Sequence, residues 1–273
     1  MKAAGAARPK LRVDAASKVY QTASGDLQAL DRCSLDVNAN EIVSVVGPSG
    51  CGKTTLLWCM SGLHKLSGGQ VLLNGQPITG PHPDIGIVFQ EANLLPWRDL
   101  DANIRFPFEI KGEKPDKDWI DHLLHRVGLE GFGRKFPREL SGGMQQRAAI
   151  VRALALKPSV LLMDEPFGAL DTFTREEMNR LVEEIWLDTP TTIVFITHSI
   201  EEAIFLSDRV IVLTTRPGRV AREFPVPFER PRSMEVMAAK EVFDLTNEIK
   251  MEIVGKRTTL ASSTKQKTAT VMQ

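Results

Sequence analysis

The sequence predicts an α/β fold built on a mostly parallel sheet with helices on both faces. Three observations lead there. The runs Val160–Met163, Thr192–Ile196 and Val210–Leu213 are continuously apolar, as strands covered on both sides must be. The helical stretch Thr172–Trp186 lies between the first two and reads as the crossover of a βαβ unit. A compact strand, Glu41–Val46, runs through Gly47-Pro48 into a glycine-rich turn and then a helix at Lys53–Ser61.

The remaining elements follow in order. Leu11–Val19 and Ala29–Val37 are opening β-type runs. Gly68-Gly69 precedes a strand at Gln70–Asn74, and Ile85–Phe89 is a further buried strand. From Glu91 to Lys157 the texture changes. Charged helical stretches, Asp116–Val127 and Gly143–Leu156, mix with Pro and Gly breaks, as in a helical insertion. Near the C-terminus Met234, Ala238, Val242, Leu245, Ile249 and Ile253 recur at steps of three or four, one apolar stripe on one helix packed against the domain. The expected organisation is a flexible N-terminus over 1–10 and a main domain over 11–231. Within it a helical subdomain spans about 91–157. A helix over 232–256 and a flexible Ala-, Lys-, Ser- and Thr-rich tail over 257–273 follow.

Composition narrows the class. Of 273 residues 42% are hydrophobic, enough for a sizeable core. Thirty-four Lys and Arg balance thirty-four Asp and Glu, which argues against a protein that coats nucleic acid or anionic lipid. No apolar run approaches the roughly 20 residues needed to span a bilayer, and Met1 to Leu11 holds no secretory h-region. Cys33, Cys51 and Cys59 have no metal-ligand spacing and read as free thiols in a reducing compartment.

Chemistry concentrates in three motifs. Gly47-Pro48-Ser49-Gly50-Cys51-Gly52-Lys53-Thr54-Thr55 matches the P-loop pattern, between a buried strand and a helix start. Its glycines let successive backbone N–H groups face one concavity, and the helix N-terminus adds positive dipole character. Lys53 can bridge the β- and γ-phosphates, Thr54 can place its hydroxyl on Mg²⁺, and Thr55 can reach the α-phosphate. Val160–Met163 ends in Asp164-Glu165. Asp164 would hold Mg²⁺ through water, and Glu165, on the opposite side of the strand end, would activate the attacking water. Ser141-Gly142-Gly143 opens the helix that runs to Leu156, a second phosphate-sized anion site. One nucleotide cannot occupy both sites within a monomer, so the second is expected to close over a nucleotide held by another copy. Cys51, beside Lys53 and a helix N-terminus, reads either as a thiol of depressed pKa that MgATP shields from maleimides or as an inert small residue that fits the loop.

The ordered set resembles the ATP-binding subunit of an ABC transporter, across about Val13 to Pro231. The most specific part is Leu140-Ser141-Gly142-Gly143. The resemblance implies a P-loop NTPase core with an N-terminal antiparallel β-subdomain and an inserted helical subdomain. It implies ATP and Mg²⁺ as ligands and roles for further residues. Tyr20 is similar to the aromatic that stacks on adenine. Gln90 resembles the glutamine that senses Mg²⁺ and the γ-phosphate and begins the segment facing the membrane subunit. Gly168-Ala169-Leu170-Asp171 resembles the loop that crosses the dimer interface, and His198 the histidine that hydrogen-bonds the γ-phosphate. Asn93-Leu-Leu-Pro-Trp97-Arg98 and Arg216-Pro-Gly-Arg219 are similar to segments of subunits importing nitrate, sulfonates or taurine, a branch that also handles pyrimidine vitamin precursors. Trp97 reads either as packing within the helical subdomain or as a docking anchor.

The resemblance implies partners too: a second copy of the chain, integral membrane permease subunits and, through them, a periplasmic or extracellular substrate-binding protein, with no nucleic acid. The chain would sit at the cytoplasmic face of the inner membrane. Two rivals are weaker. A DNA-repair or ribosomal cassette usually carries two motif sets or a coiled-coil insertion, for which the stretch between Gln90 and Ser141 is too short. A metabolic P-loop kinase would have no use for Ser141-Gly142-Gly143.

Overall fold

The structure is a computed structural model describing residues 8–269, with side chains through 255. Strands β1 (Leu11–Thr22) and β2 (Gly25–Val37) pair antiparallel, Leu11 opposite Val37 and Thr22 opposite Gly25. β3 (Ile42–Val46) is buried at every position and leads through the glycine turn into α1 (Lys53–Met60). β4 (Gly68–Leu73) and the short β5 (Gln76–Pro77) return to the first sheet, which is antiparallel in the order β2-β1-β4-β5.

β6 (Ile85–Val88) is followed by α2 (Leu100–Lys111), α3 (Lys117–Arg126), a 3-10 turn at Pro137–Glu139 and α4 (Gly142–Leu154). Then come β7 (Val160–Asp164), α5 (Thr172–Asp188), β8 (Thr192–Ile196), α6 (Ile200–Leu206), β9 (Arg209–Leu213) and β10 (Val220–Pro225). The second sheet has the order β10-β9-β3-β8-β7-β6 and is parallel except for β10 at its edge.

Both faces of this sheet are dry, and the period of two shows why the strands read as unbroken apolar runs. Leu161, Met163, Ile193 and Phe195 join one core with the helices of the inserted stretch and α5. Their neighbours Val160, Leu162, Val194 and Ile196 join another, with α1 and the first sheet. Successive residues face different hydrophobic layers, and the one polar side chain within β3, Ser44, is buried with a hydrogen bond to Ser207. Because the strands are parallel, the loops after β3, β6, β7 and β8 open at one end of the sheet. Ligands of open α/β sheets bind there.

The C-terminal region differs from the single helix expected over 232–256. It forms α7 (Met234–Met237) and α8 (Lys240–Ala269). The break is a closed turn in which Ala238 N donates back to Met234 O and α8 restarts with Val242 N on Ala239 O. No Gly or Pro marks it. Val242 and Ile249 are buried and Leu245 and Ile253 pack beside them, while Met234 and Ala238, across the break, are exposed. α8 also continues where a flexible tail was expected, since no Gly or Pro follows Gly255 to stop it. Residues 1–7 of the expected flexible N-terminus and 270–273 of the tail lie outside the described residues. Among the described residues no helix is long and apolar enough to cross a membrane.

Just before α7, Arg232 is 3% exposed and donates to the carbonyls of Ile204 at 2.6 Å, Phe205 at 2.7 Å and Phe228 at 3.0 Å. Its backbone N–H donates to both oxygens of the equally buried Glu183. Burial holds the guanidinium down to about 10 and pushes the Glu183 carboxyl above its usual range. Arg232→Ala would strand three carbonyls and remove one of the two positive charges, with Arg230, that favour the buried Glu183 carboxylate. A loss of about 3 kcal/mol is expected, read as a lower urea midpoint at unchanged slope; an unchanged midpoint would show that water satisfies the groups left behind.

Candidate active site

The phosphate-loop pattern leaves β3 where the fold needs a ligand site. Gly52 caps α1 at φ 105°, and a side chain there would come within 2.8 Å of the Ala29 carbonyl, so only glycine permits this approach of β2 to the loop. The first turn of α1 holds no acidic residue, which leaves its N-terminal dipole uncompensated. Lys53 is 7% exposed. Its Nζ donates to Gly47 O at 3.1 Å and Pro48 O at 3.4 Å and lies 3.8 Å from Glu165 Oε1. A nearly buried ammonium held mainly by neutral carbonyls is a poorly compensated charge facing a concavity.

Three further strand ends supply the other groups. Asp164, at the end of β7, accepts from Thr54 Oγ1 at 3.1 Å. Burial pushes its carboxyl above the ordinary range; the Thr54 hydrogen bond opposes this and the Glu165 charge reinforces it. Glu165 has φ 43°, a left-handed conformation costly for a non-glycine residue. Its N–H on Ile196 O and its carbonyl under Gly168 N hold it there. Its carboxylate Oε2 lies 3.2 Å from Nδ1 of His198, which follows β8. Gly168 sits among these groups. A Cβ there would lie 3.7 Å from Gln90 Nε2 and 3.8 Å from His198 Cε1.

The result is a pocket of about 290 Å³. It gathers Tyr20, Gln90, Glu165 and the loop positions Ser49, Gly50 and Gly52 to Thr55. Tyr20 reaches it from β1, its hydroxyl 2.8 Å from His64 Nδ1 and 3.5 Å from Thr55 Oγ1. Gly47, Pro48 and Cys51 contribute backbone behind the loop rather than pocket surface, and Cys51 N donates to Pro48 O. Leu27, Ala29 and Arg216 complete the lining, and none of them was expected there.

Ser141, Gly142, Gly143 and Asp171 lie off this pocket. Ser141 caps α4, accepting from Met144 N, and Asp171 caps α5, accepting from Phe173 N, Thr174 N and the Thr174 hydroxyl. The two caps are neighbours, since a Cβ at Gly143 would lie 2.9 Å from Thr174 Cγ2. Ser141 and Gly142 are exposed, and the first turn of α4 holds no acidic residue. One chain thus carries two uncompensated helix N-termini on separate surfaces.

A family model described as ABC transporter matches residues 30–168. The chain belongs to the ABC transporter family. A taurine import ATP-binding protein, TauB, of Roseobacter denitrificans is 49% identical over 80% of this chain and 82% of its own length. An aliphatic sulfonates import ATP-binding protein, SsuB, of Bacillus cereus is 40% identical over 82% of this chain and 89% of its own. A dimeric ATP-binding cassette solved in a post-hydrolysis state with ADP and Pi superposes with a TM-score of 0.70 at 31% identity, covering 80% of this chain and all of that one. The P-loop NTPase fold and an ATPase activity follow for the ABC cassette described here.

Two readings left open by the sequence of this ABC cassette are narrowed by the structure. Trp97 is 71% exposed, so it does not serve as packing within the helical stretch. Cys51 is 1% exposed, and burial raises its thiol pKa. Lys53 and nearby amides act in the expected direction, but desolvation outweighs them. Cys33 and Cys59 are also buried, with thiols pushed up to about 12 and about 11. A raised pKa leaves little thiolate at pH 7.5. Native protein is therefore expected to show no fast-reacting thiol towards maleimide, with or without MgATP, and three after unfolding. Rapid labelling of native Cys51 would contradict this.

Proposed function

We propose that the cassette is the ATP-hydrolysing subunit of an importer for a small organosulfur compound or anion such as taurine, an aliphatic sulfonate or nitrate. The reading rests first on the division of the site: the phosphate loop, Gln90 and Glu165 share one pocket, with Asp164 and His198 bonded to its Thr54 and Glu165, while Ser141–Gly143 and Asp171 lie elsewhere on the same chain. Two copies placed head to tail would join each pocket to the other's second surface. Relatives named for taurine and aliphatic sulfonate import at 49% and 40% identity support the cargo class.

In this mechanism Lys53, Thr55 and the loop amides bind the phosphates of ATP, with the base against Tyr20. The pair Thr54 Oγ1 and Asp164 Oδ1, 3.1 Å apart, suits a hard cation that keeps several waters. No cluster of three His, Cys, Asp or Glu among the described residues would make a dedicated metal cage. Thr54, Asp164 and Gln90 are the residues that would hold Mg²⁺, which when bound neutralises charge on the β- and γ-oxygens. Glu165 takes the proton of the attacking water. His198 holds the Glu165 carboxylate and reaches the γ-phosphate. Ser141–Gly143 of a second copy complete the pocket, with Asp171 positioning the loop that meets them.

Closure of the pair would be passed to integral membrane permease subunits at the cytoplasmic face of the inner membrane, through the helical stretch 91–157. Exposed Trp97 is the anchor we assign to that contact. The permease in turn meets an external substrate-binding protein. Affinity capture of the tagged cassette from native membranes, with mass spectrometry of the co-purified chains, tests this. Recovery of a permease, and ATPase stimulation in vesicles when taurine or a sulfonate is present with the binding protein, is the expected result. A functional complex stimulated only by an unrelated solute would overturn the cargo, and a cassette with no membrane partner would overturn the transport role.

A further inference from the structure

The segment between β9 and β10 lies directly on the phosphate loop. Gly218 N donates to Ala29 O at 2.9 Å, and Gly218 O accepts from Asp31 N at 3.0 Å, which ties the segment to β2. Thr214 Oγ1 donates to Pro217 O and accepts from Arg219 N, both at 3.0 Å, and Arg219 pairs with Asp31. Any side chain at Gly218 would collide with the carbonyl of Cys51. A clamp of this kind fixes the position of its own residues relative to the loop.

What the clamp presents is Arg216. Its Nε and Nη2 both lie 3.2 Å from Gly50 O, and its side chain lines the pocket with Lys53, Thr54 and Glu165. Arg216 and Lys53 are the two cations of that lining. Among the described residues Arg216 forms no ion pair; a single neutral carbonyl takes its hydrogen bonds. A guanidinium carries five N–H donors, so most remain free for an anion, in a fork that matches phosphate oxygens. The placement also selects an end of the ligand. Lys53 grips the carbonyls of Gly47 and Pro48 and Arg216 that of Gly50, all in the leading half of the loop. Tyr20 marks the other end, beside Thr55.

We infer that Arg216 is a further nucleotide-binding residue, which contacts the terminal phosphate of a nucleoside triphosphate in the pocket of its own chain. The inference rests on the reading of this pocket as the ATP site. It gives the cassette a second fixed cation at the distal phosphates, supplied by a segment more than a hundred residues downstream of the loop. An arginine there favours ATP over ADP, because the diphosphate lacks the group it contacts.

Isothermal titration of MgADP and of the magnesium complex of the non-hydrolysable analogue AMP-PNP tests this, at protein concentrations where light scattering reports monomer. Removing a charge-assisted hydrogen-bond donor, here on an exposed side chain at the pocket rim, predicts up to about 10-fold weaker AMP-PNP binding for Arg216→Ala, with ADP affinity changed less than about 3-fold. Arg216→Lys, which keeps the charge but not the fork, is expected to lose about 3-fold for AMP-PNP and covers the case in which the alanine variant fails to fold. Unchanged AMP-PNP affinity in these variants, or an equal loss for ADP and AMP-PNP, would overturn the inference and leave Arg216 as loop scaffolding. Failure of the parent protein to bind either nucleotide would instead remove the assignment of the pocket.

Discussion

Glu165→Gln is expected to lower ATP turnover by about 10²–10⁴-fold, the usual effect of removing a positioned general base. Nucleotide affinity should stay near that of the parent. The amide keeps the size of the side chain and its hydrogen-bonding reach to His198 Nδ1, 3.2 Å away. It cannot accept a proton from water. Lys53 lies 3.8 Å from Oε1, beyond a direct hydrogen bond, so the ammonium depends on the Gly47 and Pro48 carbonyls more than on this carboxylate. Binding and chemistry should therefore separate in this variant, and MgATP should accumulate a dimer of the 30.2 kDa chain. Single-turnover phosphate release and equilibrium binding measure the two effects independently. Wild-type turnover would remove Glu165 from the chemistry.

Lys53→Ala should show the opposite pattern. The ammonium is 7% exposed and its nearest carboxylate, Glu165, lies at 3.8 Å, beyond a direct hydrogen bond, so its N–H donors are available to phosphate. Hydrogen bonds to charged groups contribute about 1.5–3 kcal/mol each, and two phosphates share this one, so ATP affinity should fall by roughly 100-fold or more. The fold should survive, because the alanine removes a costly buried charge, which offsets the lost hydrogen bonds to the Gly47 and Pro48 carbonyls. Titration with ATP, beside a thermal melt that controls for folding, separates the effects. Unchanged affinity with an intact melt would refute the role given to the P-loop lysine.

Much of this was legible in the chain. The parallel strands announced themselves because both faces of the sheet are dry, which forces unbroken apolar runs such as Val160–Met163. The loop after β3 was legible because its chemistry is local, nine consecutive residues between a strand and a helix. What escaped depends on distance or on competing energies. Helix α2, which carries Pro107 in its interior, was not among the helical stretches predicted between 91 and 157; its Asp99 cap, accepting from Ala102 N at 2.9 Å, was the available signal. Arg216 reaches Gly50 only because β9 lies beside β3 in the sheet. For Cys51 the sequence shows the charges that lower a thiol pKa and not the burial that raises it, so the reactive and inert readings could be separated only in the structure. The break at Ala238 has no Gly or Pro to announce it.

ATP hydrolysis measured against protein concentration goes to the heart of the two-copy mechanism. If each pocket needs Ser141–Gly143 of another molecule, turnover per chain should rise with concentration, approaching second order where light scattering reports mostly 30.2 kDa monomer. Turnover per chain that stays constant and maximal down to concentrations at which only monomers scatter would contradict it.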